Sequence, residues 1–203
     1  MAVIKEAELL ETDRSLKKGR PLEVCPCHIQ HISIQPLRPL PFSGVPQSQP
    51  LNMAHVGALP KVQRYVTGHN DKGQAIFSNA FDEDSKMKAN DDGIAFALSY
   101  TTKGFPVDMT DDQDLKVYEK YLNRPPGLVI SGGTVLRHVD IPPNTKCTMH
   151  RTVSLDYGCV LEGEVQLLLD SGEERVMRRG DVAIQRGTMH QWINQSETEW
   201  TRM

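Results

Sequence analysis

Residues 147–163, CTMHRTVSLDYGCVLEG, and residues 180–192, GDVAIQRGTMHQW, decide how this chain is read. Each stretch offers one histidine, His150 in the first and His190 in the second. An imidazole can bind a metal, move a proton near neutral pH, or sit hydrogen-bonded in a core. The surrounding pattern has to choose among these roles.

From Gly132 onward the chain breaks into short apolar-polar runs: GTVLRHVDI, GCVLEG, EVQLLLD, ERVMRR, DVAIQ and HQWIN. Pro-Pro, Glu-Gly, Ser-Gly, Arg-Gly and Arg-Gly-Thr turns separate them. Short strands with a turn signal every eight to twelve residues predict an all-β antiparallel sandwich or barrel. The chain ends at Met203, soon after the Trp192 strand, where a jelly roll wants one more strand, so a shortened C-terminus is expected.

Working towards the N-terminus, DDQDLKVYEKYL predicts a helix closed by Pro125, with Leu115, Tyr118 and Leu122 on one face. IAFALSYTT reads as a strand with Phe96 and Leu98 on one face, and DEDSKMKANDDG as an exposed loop. KVQRYVTGHND and QAIFSNAF read as the arms of a hairpin, with His69 in its turn. The eight prolines between Pro21 and Pro60 predict an extended strap, and residues 3–17 a short amphipathic helix. We therefore divide the chain into an N-terminal extension, residues 1–59, and one domain, residues 60–203.

Composition narrows the function classes. With a net charge of −3 the chain lacks the basic field that phosphate backbones attract, which argues against nucleic acid. No run of ~18 apolar residues appears, and charges interrupt the first twenty residues, so neither a membrane span nor a secretory leader is expected. Four cysteines, Cys25, Cys27, Cys147 and Cys159, are too few for a disulfide framework at this length. Reduced thiols in the cytoplasm are the expectation. CPCHIQH packs two cysteines and two histidines together, but more tightly than zinc-binding pairs are usually spaced.

The two opening stretches resemble the paired motifs of the cupin superfamily. His150 stands at the first histidine of the first motif, Thr152 at the second, Asp156 at the glutamate, and Gly163 at the closing glycine. In the second motif Gly180, Asp181, Gly187, His190 and Asn194 match, Gln185 replaces a proline, and the glycine spacing is one residue short. The resemblance is close over residues 133–195. The runs RYVTGHNDKGQAIFSNAF, GGTVLRHVDIPP and QRGTMHQW extend it to small fungal cupin-domain oxidoreductases of aromatic, salicylaldehyde-type polyketide clusters. It implies a jelly-roll β-barrel, a homodimer, and an oxidoreductase acting on an aromatic or polyketide intermediate.

Two histidines and a carboxylate are the recurring ligands of oxygen-activating iron, and manganese and zinc use related sets. His150, Asp156 and His190 supply such a set in principle, although Asp156 is one methylene shorter than the glutamate it replaces. The same three side chains could instead work without a metal, with a histidine as general acid or base and Asp156 orienting it. An isomerase, cyclase, dehydratase, decarboxylase or non-catalytic binder would then fit. Thr152, Arg137, Trp192 and Tyr157 are the candidate substrate contacts, with Met149 as further apolar lining. Arg137 and His138 are adjacent on one strand, so only one of them points inward. The plainer readings remain: core histidines, Asp156 as a turn residue before Gly158, and aromatic core packing.

Overall fold

A computed structural model describes residues 59–203 in full and the backbone of residues 3–6, so CPCHIQH and the proline-rich strap lie outside the described residues. The strands are β1 (Val3–Glu6), β2 (Thr67–His69), β3 (Ala75–Phe77), β4 (Lys88–Ala89), β5 (Ala95–Thr101), β6 (Thr134–Ile141) and β7 (Thr145–Lys146). They continue as β8 (His150–Arg151), β9 (Leu155–Cys159), β10 (Glu164–Leu169), β11 (Glu174–Arg178), β12 (Val182–Arg186), β13 (Met189–Asn194) and β14 (Thr201–Arg202). Among the described residues one α-helix, α1 (Gln113–Asn123), lies between β5 and β6.

Seven strands form one sheet in the order β12-β9-β1-β6-β5-β4, with β14 also on β6. Five form a second sheet, β11-β10-β13-β7, with β8 also on β13. The expected all-β architecture is present, but as two open sheets rather than a closed barrel. Among the described residues the two sheets are linked by the Glu162–Arg202 bridge and by the Thr201 hydroxyl of β14, which donates to the Glu164 carbonyl of β10. The sheets share a core of Ile94, Ile141, Val160, Val165, Met177, Ala183 and Met203, to which both contribute. Burying these apolar faces against one another is what an amphipathic sheet requires.

The strand readings at β6 and at β10 to β13 hold, GCVLEG is strand only at Gly158 and Cys159 of β9, β7 and β8 carry no such reading, and β14 supplies a strand after the Trp192 run. It pairs with β6 through Thr201–Ile141 and Arg202–Asp140. At the other end of the same lane β1 lies between β6 and β9, pairing Val3 with Arg137 and Ile4 with Tyr157. This corrects the helix expected from residue 3: Val3–Glu6 is a strand. Backbone groups of β6 and β9 that would otherwise lack partners outweigh the weak local helix preference.

The hairpin, helix and β5 also hold. Asn70 Oδ1 accepts the backbone N–H groups of Lys72 and Gln74, each at 3.0 Å, which builds the β2–β3 turn; His69, expected in that turn, ends β2 opposite Ala75 and is exposed. Helix α1 packs on β5, and Tyr118, fully buried, donates its hydroxyl to the Leu98 carbonyl at 2.7 Å. Along β5 the small residues Ala95, Ala97, Ser99 and Thr101 are buried, while Phe96 and Leu98 share the other face. The loop expected at 82–93 is only partly exposed, because Ser85 and Met87 are buried and β4 pairs with β5. No helix among the described residues is long and apolar enough to cross a membrane.

Candidate functional site

Strand alternation aims Arg137, Val139 and Ile141 of β6, Asp156 and Gly158 of β9, Gln185 of β12, and His190 and Trp192 of β13 into one cavity of about 350 Å³ between the sheets. His150 reaches it from β8, directly across the ladder from His190. Lys146 pairs with Ile193 and His150 with His190, so four steps on one strand match three on the other. That extra residue is a bulge, which re-aims a side chain. The two imidazole centroids stand 4.5 Å apart, and the Trp192 ring meets His190 edge-on at 5.7 Å.

Both rings are tethered alike. His150 Nδ1 lies 2.9 Å from the Thr148 carbonyl, and His190 Nδ1 lies 2.9 Å from the Thr188 carbonyl. A carbonyl oxygen only accepts, so each Nδ1 carries the hydrogen and donates it. Neutral imidazoles held this way keep their lone pair on Nε2, the form suited to taking a proton or binding a metal.

Asp156 is 2% exposed, and both of its oxygens are engaged. Thr152 donates to Oδ2 at 2.7 Å and Ser154 to Oδ1 at 2.6 Å. A buried carboxylate requires such donors. Thr152 is therefore a tether behind Asp156 and is absent from the cavity wall, contrary to its expected place as a substrate contact. Gln185 stands beside Asp156 across the β9–β12 ladder, and its Oε1 accepts the Thr188 hydroxyl at 2.6 Å.

The metal set expected from the sequence can be tested on these donors. Two imidazoles converge, but among the described residues no three His, Cys, Asp or Glu side chains are grouped so as to hold one ion. His150, His190 and Asp156 line one cavity, and Asp156 accepts from two hydroxyls, as a hydrogen-bonded carboxylate does whether or not it also meets an ion.

Of the other candidates, Arg137 and Trp192 line the cavity. Tyr157 does not: Asp156 and Gly158 point inward, so Tyr157 between them faces out and is 38% exposed. Met149 is also absent from the wall. Arg137 is the inward member of its pair, while His138 faces the other way and meets the Ser99 hydroxyl at 2.7 Å. Burial, followed by the Arg202 charge, pushes His138 down to about 4. Burial pushes the Cys147 thiol up to about 11, so it stays protonated, consistent with its reading as a small hydrophobe. Sequence reasoning did not assign Phe96, Cys147, Gln185 or Met203 to the cavity. The i, i+2 alternation within β12 signals Gln185 once Ala183 is known to face the core. Met203 enters through the β14 pairing, for which the sequence carries no local signal.

No protein-family model matches the chain. Curated relatives do. A phomopsin biosynthesis cluster protein of Diaporthe leptostromiformis is 45% identical over 69% of this chain and 74% of its own length. An oryzines biosynthesis cluster protein of Aspergillus oryzae is 41% identical over 71% of this chain and 80% of its own. A cupin-domain-containing oxidoreductase of Hypocrea virens is 45% identical over 67% of this chain and 69% of its own length. With the paired motifs at the two ends of one ladder, and at this identity and coverage, the chain belongs to the cupin-domain-containing family of these fungal biosynthesis-cluster proteins.

Proposed function

We propose that this protein is an oxidoreductase of fungal secondary metabolism that holds a small aromatic or polyketide molecule in the inter-sheet cavity, with His150 and His190 moving protons for the reaction. The reaction class follows the name of the Hypocrea virens relative. The observation that carries the residue roles is the tethered pair: two imidazoles 4.5 Å apart on one wall, each with Nδ1 committed to a carbonyl. Interconverting an alcohol and a carbonyl passes a hydride between carbon and a second reactant, a hydride carrier that the reaction requires as its oxidant or reductant, and removes or adds a proton at oxygen. That proton is the share of the reaction that a positioned Nε2 can carry. Phe96 and Trp192 supply apolar wall for the body of the molecule, and Gln185 adds an amide.

A second reading rests on the imidazole pair alone, with Asp156 held by its two hydroxyls. The same pair would serve a metal-independent isomerase, cyclase, dehydratase or decarboxylase by acid-base chemistry alone. Comparing metabolites of a fungal strain with the gene intact, deleted, and replaced by the His150→Ala, His190→Ala double variant tests both. An oxidoreductase predicts that the deletion strain accumulates a compound two hydrogens away from the lost product, and that the double variant does not restore the product. Accumulation at the same oxidation level would select the second reading. Restoration by the double variant would remove the histidines from both.

A further inference from the structure

Behind the first cavity lies a second, of about 490 Å³, lined by residues of the 82–90 segment, the end of α1 and the Pro125–Pro126 turn. Asn90, Phe96 and Arg137 line both cavities. Arg137 therefore stands at their junction. Its Nη2 donates to the carbonyls of Pro126, at 3.1 Å, and Gly127, which fixes the guanidinium plane from the loop after α1. Those carbonyls neutralise no charge. No carboxylate among the described residues pairs with Arg137, and Nε and Nη1 have no acceptor there.

Arg202 differs in having an anionic partner, whereas Arg64, like Arg137, has only neutral ones among the described residues. Arg202 is matched by Asp140, with both oxygens at 2.6 Å. Arg64 is bound to the Tyr118 hydroxyl and the Asp82 carbonyl and lies over the Phe81 and Tyr118 rings. A half-buried guanidinium costs free energy unless an anion meets it. On the second-cavity side Arg64, Lys86 and Lys88 outnumber the carboxylates of Asp82 and Asp84, while Phe96 and Leu98 provide apolar surface.

We propose that Arg137 is the anchor for an organic carboxylate, so that the substrate is an aromatic or polyketide acid whose body extends from the junction to the imidazole pair. A single fixed guanidinium set in largely apolar walls matches a monoanion with a hydrophobic body. The assignment rests on the reading of the inter-sheet cavity as the substrate site.

The test uses two probes of one shape and different charge, 2-naphthoate and 2-naphthylmethanol, titrated calorimetrically into the full-length protein. The wild type should bind the carboxylate about ten- to a hundredfold more tightly than the alcohol, the range expected for a hydrogen bond to a charged group. Arg137→Gln should erase that preference by weakening the carboxylate alone, and Arg137→Lys should retain part of it. Absence of carboxylate binding by the wild type, equal affinity for the two probes, or a preference that survives in Arg137→Gln would overturn the proposal. The wild-type comparison decides even if a variant does not fold. The His150→Ala, His190→Ala variant should keep the probe preference while losing product formation, which separates a failure of the anchor from a failure of the proposed chemistry.

Discussion

At the scale of single residues, a buried polar group in this protein works through whatever satisfies it. Asp156 is held by two hydroxyls, the imidazoles by two carbonyls, and His138 by Ser99. His138 has a further consequence. Its folded value of about 4 lies below the unfolded ~6.5, so the fold favours the neutral ring. That contribution is whole above about pH 6.5 and is lost as pH falls toward 4. Its size is about 3 kcal/mol at most, less whatever solvent recovers at the partly exposed ring. Urea denaturation at pH 7.5 and pH 4.5 should show wild type losing more stability between the two than His138→Asn loses. Parallel losses would refute the assignment. Alternation in the sequence requires that Arg137 and His138 face opposite ways, but not which faces inward; that phase depends on the sheet packed against β6.

The elements show why parts of this architecture were legible and others were not. Strands β6 to β13 carry their own punctuation, since a glycine that must adopt a positive φ marks several of the turns. Gly163, the last residue of the opening stretch, has φ of +72°, and a Cβ there would stand 2.6 Å from the Trp200 carbonyl oxygen. Its role as a motif residue is thus physical: the β9–β10 connection must pass under the approach to β14. We expect Gly163→Ala to cost about 2 kcal/mol, combining left-handed strain with a backbone that has to move. An unchanged urea midpoint would contradict this. Asn194 is similar, its side-chain amide within reach of the carbonyls of Ile141, Pro142 and Glu199 at 2.8–3.1 Å. That makes it a clamp for the strand ends rather than part of the cavity chemistry. By contrast β1, β4 and β14 are two to four residues long, and the pairing partners of β1 and β14 lie far away in sequence. Nothing in a window of that length distinguishes such a strand from a helix start or a loop. The same limit hid Met203, and with it one wall of the cavity.

On the scale of the whole molecule, β1 and β14 occupy one lane between β6 and β9, so segments far apart in sequence complete a single sheet. The Arg202–Asp140 pair locks that lane. It joins residues 62 apart with both side chains nearly or fully buried, and Arg202 Nη1 also donates to the Pro60 carbonyl at 2.8 Å. Removing one partner leaves a desolvated charge, whereas removing both with apolar replacements leaves only a packing problem. Arg202→Met and Asp140→Leu should each cost about 3–5 kcal/mol. The double variant should cost clearly less than their sum, so the coupling in a thermodynamic cycle should be large. Additive losses would mean that the two side chains act separately and that the lane is held by its backbone ladder alone. Because Met203 follows Arg202 directly and lines the cavity, the single variants should also lower affinity for 2-naphthylmethanol, a neutral probe indifferent to the Arg137 charge. Loss of stability with unchanged binding of that alcohol would show that the cavity wall survives without the lock.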